Sequence, residues 1–231
     1  PHGITFANET VVGRYPRDVF IGTNSAVYMN DREHKQVRIW NVDSAISTIT
    51  TLDLSFEPWG LFVTIDEDIY IGSNTNGLVE KWALNETKGT VVMNAFSPCF
   101  GLFVDSTNHL YCSLGEKHQV VRQSLEGDSN ILVAAAGNGS RGSADNMLAV
   151  PTGIFVTISF DLYGADSLND RVQLFKRGQL DGTVAAGRTS TPSIDLYYPM
   201  TVILDVDDHL FIIDSNNQRI IASQSGGFYC V

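Results

Sequence analysis

A unit that recurs every 40 to 53 residues restricts the fold of this chain more than any other feature. Its copies open at Pro16, Pro58, Pro98, Pro151 and Pro199. Each proline leads into a short apolar run: Val19-Phe20-Ile21, Leu61-Phe62-Val63, Leu102-Phe103-Val104, Ile154-Phe155-Val156 and Val202-Ile203-Leu204. A polar turn follows, as at Asp66-Glu67-Asp68 or Ser106-Thr107-Asn108, and then a second short run such as Ile69-Tyr70-Ile71. A repeat of this length cannot bury its own apolar face and must stack on its neighbours.

Within each copy the pattern predicts four short strands. The third alternates, as in Val172-Gln173-Leu174-Phe175, and a fourth follows at Thr90-Val91-Val92, Ile131-Leu132-Val133 and Thr183-Val184-Ala185. Aromatic and β-branched residues dominate the apolar positions, Asn, Asp and Gly separate them, and no segment holds a 3.6-residue period for ten residues. Four-stranded meanders repeated radially make an all-β propeller. The first run of each copy is the most continuously apolar. It is therefore expected innermost, covered on both faces.

The later half of the unit reads Asp166-Ser167-Leu168-Asn169-Asp170-Arg171 in the fourth copy and Asp214-Ser215-Asn216-Asn217-Gln218-Arg219 in the fifth. This Asp-Ser-x-Asn-x-Arg signature resembles the NHL repeat. The resemblance spans nearly the whole chain but is degraded in the first three copies. Gly72 to Val79 and Ser113 to Val121 have lost both the Asp and the Arg. It implies a propeller of NHL-type blades, of which NHL propellers commonly have six.

The fifth copy is short. Residues 1–15, which contain Thr10-Val11-Val12-Gly13, read as a latch strand that completes the last blade of a five-bladed ring. The alternative makes Phe228-Tyr229-Cys230-Val231 that fourth strand and the chain part of a six-bladed ring. Five is preferred, because an open ring leaves exposed edges. The length suits a single domain over residues 1–231, with the Gly- and Ser-rich stretches 137–146 and 188–193 as loops between repeats.

The net charge of −11, with mixed-sign runs such as Asp31-Arg32-Glu33-His34-Lys35, argues against a nucleic-acid partner. No apolar run approaches the ~20 residues needed to span a bilayer. Beginning at Pro1, the sequence fits a processed or partial chain of a larger protein or assembly. Sequons at Asn8, Asn85 and Asn138 point to secretion and glycosylation. The cysteines Cys99, Cys112 and Cys230 are odd in number. Cys99 and Cys112 flank one hairpin, about four residues out of register, so a disulfide between them requires the strand to bend.

Asp166 and Asp214 close a second strand, and Arg171 and Arg219 open a third. A motif needed once per blade is read as blade geometry, with the Arg reaching the carboxylate or a neighbouring blade's carbonyls. His2, His34, His109, His118 and His209 show no zinc spacing, and no nucleophile elbow is present. Trp40, Trp59 and Trp82 are assigned to core packing; Trp59, directly after Pro58, could also line one face and suit a sugar or peptide. Asp66, Asp68, Asp205, Asp207 and Asp208 in the hairpin turns are the candidates for calcium. Two functions follow. The preferred one is a non-enzymatic extracellular module binding a protein, peptide or glycan, with no cofactor. The alternative is a calcium-dependent hydrolase or lyase with its site in a central channel.

Overall fold

The structure is a computed structural model that describes residues 16–23, 25–41, 48–83, 86–127 and 130–231. The expected latch strand, residues 1–15, lies outside the described residues, as do the sequon residues Asn8 and Asn85. The chain divides into two compact units, one ending at Cys99 and one beginning at Phe100.

Five four-stranded antiparallel sheets are the blades of an all-β propeller fold. The first unit holds β1 (Pro16–Ile21), β2 (Val27–Asp31), β3 (Gln36–Asn41) and β4 (Thr48–Asp53) in one sheet. Its second sheet is β5 (Pro58–Val63), β6 (Ile69–Ser73), β7 (Leu78–Trp82) and β8 (Thr90–Asn94). The third sheet is β9 (Cys99–Val104), β10 (His109–Leu114), β11 (Gln119–Ser124) and β12 (Val133–Ala136). The fourth is β13 (Pro151–Val156), β14 (Leu162–Asp166), β15 (Arg171–Phe175) and β16 (Gly182–Ala186). The fifth is β17 (Pro199–Leu204), β18 (Leu210–Asp214), β19 (Arg219–Gln224) and β20 (Gly227–Cys230). The fourth-strand position of this last sheet, assigned above to the N-terminal segment, is therefore held by the chain's own Phe228-Tyr229-Cys230, paired with β19.

Within each unit the first strands of successive sheets lie side by side, β1 against β5 and β13 against β17. Their glycines explain how. A Cβ on Gly153 would stand 2.7 Å from the Met200 carbonyl oxygen, and one on Gly101 would stand 2.6 Å from that of Thr152. Only glycine permits backbones to pass this closely. The first strands are covered unevenly: β5, β9 and β13 have no exposed residue, as expected, whereas Val19 and Ile21 of β1 and Ile203 of β17 are 56%, 69% and 51% exposed. The second strand β6 is buried at all five positions. A first strand is a sheet edge; the second has a hydrogen-bonded neighbour on either side and a packed sheet over its face.

Apolar residues fill the space between consecutive sheets. Tyr28, Val37, Leu61, Ile71 and Trp82 do so in the first unit. In the second, Val120, Leu148, Ile154 and Phe175 pack together, as do Val172, Leu196, Val202 and Ile212. The recurrent Phe of the first strands meets its counterpart edge to face, Phe20 with Phe62 at 5.3 Å and Phe103 with Phe155 at 5.4 Å.

Candidate functional site

The repeated Asp and Arg form one construction in two sheets. Asp166 and Asp214 are fully buried and stand opposite Arg171 and Arg219 in the strand register. Asp166 accepts from Arg171 Nε at 2.7 Å, Asn169 Nδ2 at 2.8 Å and the Ala149 amide at 2.6 Å. Asp214 accepts from Arg219 Nε, Asn217 Nδ2 and the Tyr197 amide at 2.7, 2.8 and 2.7 Å. Arg171 Nη2 also donates to the Ala144 and Met147 carbonyls, and Arg219 Nη2 to that of Asp195. Each Arg thus ties the turn to the loop that leads into its own sheet. Burial pushes the Asp166 carboxyl up despite these donors.

The first sheet keeps the same carboxylate in altered dress. Asp31, the first residue of the mixed-sign charge run noted above, is fully buried. It accepts from Arg38 Nε at 2.9 Å and from the His34 amide at 3.0 Å, and the His34 ring lies 2.8 Å away. Burial opposes ionisation of Asp31, but the His34 and Arg38 bonds together hold its carboxyl below the usual range. The sequence concealed it because the Arg is seven residues on instead of five.

The arrangement best suited to recognition lies at the start of the first strands of the first unit. Trp40 and Trp82 are core residues, each 5% exposed, whereas Trp59 is half-buried. The Arg17 guanidinium sits 4.6 Å from the centre of the Trp59 ring and that of Arg32 at 4.8 Å. Arg32 is fixed by Glu57 at 3.1 Å, which also takes Asn74 Nδ2 at 3.2 Å, and Asn30 Nδ2 donates to the Trp59 carbonyl at 2.7 Å. Asn30 Oδ1 and Arg32 Nε are enclosed without a hydrogen-bond partner among the described residues.

Beside this stack lies a residue that sequence reasoning missed. Asp18 Oδ1 accepts the Val19 amide at 3.0 Å, and Oδ2 accepts the Leu61 amide at 3.1 Å. Loss of hydration raises its carboxyl to about 7, outweighing those two bonds and the nearby Arg17 charge. The available signal was a column: Asp18 stands where later copies have Gly60, Gly101 and Gly153.

Other candidates fall elsewhere. Asp205, Asp207 and His209 bring ligand atoms within 4.8 Å of one another on an exposed hairpin. Asp205 Oδ1 there already accepts the Asp207 and His209 amides. Asp68 is paired with Lys81 at 2.6 Å, while Asp66 and Asp208 are exposed in their turns. Cys99 and Cys112 are disulfide-bonded and fully buried, and Cys230 is free and exposed. The first strands of the other four sheets all show the register irregularity that such a bridge requires. Asn138 is exposed, its Oδ1 accepting the Ser140 amide at 2.9 Å. No helix among the described residues is long and apolar enough to cross a membrane.

No protein-family model matches the chain, and no curated protein sequence does. Solved structures match it by fold. A catalytically inactive virginiamycin B lyase from Staphylococcus aureus with quinupristin aligns over 93% of this chain and 69% of its own, with TM-score 0.67 and 11% identity. An auxiliary nutrient binding protein from Bacteroides ovatus aligns over 94% and 59%, with TM-score 0.75 and 16% identity. A chain of a nidogen/laminin complex aligns over 90% and 75%, with TM-score 0.71 and 16% identity. At such identity the likeness is one of fold: the chain is a β-propeller of five four-stranded blades, and its structural neighbours include binding proteins as well as a lyase.

Proposed function

We propose that this chain is an extracellular, non-enzymatic binding module of NHL type that holds a protein partner through the Arg17–Trp59–Arg32 face. One observation carries the reading: two guanidiniums lie over the ring of a half-buried tryptophan. Trp and Arg are the residues most enriched among binding hot spots, because a rigid ring and a planar fork lose little freedom on docking. Arg32, paired with Glu57, braces the ring, and the cationic stack suits an acidic side chain or a backbone carbonyl of the partner. A nidogen/laminin complex among the structural neighbours supports a protein partner, and the sequon at exposed Asn138 supports secretion.

The test uses laminin and other matrix glycoproteins on a biosensor, with heparin as an acidic-glycan control. A captured partner should lose about tenfold or more in affinity with Trp59→Ala and with Arg17→Ala at unchanged circular dichroism. The emission of Trp59, the half-buried one of the three tryptophans, should change on binding. A partner held equally by wild type and Trp59→Ala would move the site elsewhere. Protein from a secreting host should lose mass at Asn138 on glycosidase treatment; unmodified Asn138 would count against secretion.

A further inference from the structure

We propose that the cleft between the third and fourth sheets binds a small organic carboxylate with an apolar body. The cleft lies wholly within the second unit and encloses about 330 Å³, room for one small ligand. Its walls come from β11 and β12 on one side and from the β13–β14 and β15–β16 turns on the other.

The charge in it is one-sided. Arg122, Lys176 and Arg177 line the cleft, and no carboxylate does. Five other arginines, Arg32, Arg38, Arg171, Arg188 and Arg219, each hold an acidic side chain, while Arg141 stands exposed on a loop outside the cleft. Arg122 and Arg177 have no such ion pair among the described residues. Arg122 instead meets the Tyr111 hydroxyl, which donates to Asp105 Oδ2 at 3.0 Å. Asp105 is thus one hydroxyl removed, and its other oxygen is occupied by Thr107 and the His109 amide. Lys176 is the committed cation, paired with Asp161 at 2.7 Å. In a protein of net charge −11, two unneutralised guanidiniums in one cleft need a reason.

Their setting gives the ligand its shape. The Arg177 guanidinium lies over the Phe160 ring at 4.6 Å, a cation–π contact that favours one placement of its fork. A carboxylate matches that fork with two parallel hydrogen bonds. The remaining surface is apolar: Leu162 and Phe175 form the buried floor, and Val133 and Leu180 stand 47% and 43% exposed at the rim. An anionic head with an apolar body satisfies both parts, whereas a fully hydrated inorganic anion uses only one.

The experiment follows the arginine Nε–H signals by NMR at constant ionic strength, with phenylacetate and hexanoate as probes. The controls are benzyl alcohol and inorganic sulfate. The Arg122 and Arg177 signals should shift saturably with at least one acid in the millimolar range or below. Benzyl alcohol and sulfate should each bind about tenfold more weakly, as should the acid to Arg177→Gln. Arg177 is exposed, so this variant should melt like wild type; Arg122→Gln is a second variant for the same measurement. The proposal is overturned if neither acid gives a saturable shift, if sulfate or the alcohol matches the acids, or if Arg177→Gln binds them as wild type does.

Discussion

The Asp18 carboxylate accepts the Leu61 amide at 3.1 Å, so a side chain of β1 completes the hydrogen bonding of β5 in the next sheet. Two sheets further on, backbone faces backbone at the matching place. There Gly101 has no side chain, and the Thr152 carbonyl fills the space a Cβ would need. The first unit has thus replaced a bare contact between strands with a titratable one.

That replacement has a pH signature. The Asp18 carboxyl titrates at about 7 in the folded chain, against 3.8 as its ordinary value. Between those values the folded state binds the extra proton, so stability falls as pH rises from about 4 to about 7 and is level above. Asp18→Asn should remove this fall. Paired urea denaturations should show the variant gaining on wild type as pH rises through that window, with little difference at pH 3. A difference that is flat with pH would remove Asp18 from the account.

Arg171→Ala should destabilise by about 1–3 kcal/mol, since it leaves the buried Asp166 without its cation. Arg219→Ala should cost less. The Arg219 side chain is 33% exposed against 11% for Arg171, so water can partly replace it beside Asp214. Denaturant midpoints at unchanged m-value would rank the two; the reverse order would contradict this reading of burial.

His118 and Asp170 perform one task in neighbouring sheets. The Val150 amide donates to His118 Nδ1 at 3.2 Å, and the Tyr198 amide to Asp170 Oδ1 at 2.9 Å. Val150 and Tyr198 both have φ near +55° directly before a proline, a conformation that β-branched and bulky residues rarely adopt. His118→Ala should cost about 0.5–1.5 kcal/mol, while His118→Asp should retain most of the stability by supplying the acceptor found in the next sheet. Thermal melts at neutral pH distinguish the two.

Cys99 and Cys112 are fully buried, so mild reductant under native conditions should leave Cys230 as the cysteine that alkylates. Reduction in denaturant followed by refolding should lower stability by about 3 kcal/mol, the loop-closure effect for so short a loop. Peptide mass mapping after alkylation reads the first outcome and urea titration the second.

The sequence by itself determined the blades. The apolar runs after Pro58, Pro151 and Pro199 and the polar turns after them fix strand, turn and strand locally, and each such strand forms at its proline. The Asp-Ser-x-Asn-x-Arg copies were legible for the same reason, since Asp166 and Arg171 meet across a single turn. Tertiary structure decided what depends on partners distant in sequence. Trp59 reads like a core residue until Arg17, 42 positions earlier, and Arg32 lie over it. Asp18 looks like an ordinary surface acid until β5 removes its water. Repeat pattern encodes short-range hydrogen bonding and side-chain period. Desolvation, and contacts between charged groups of different sheets, are set only when separate sheets come together.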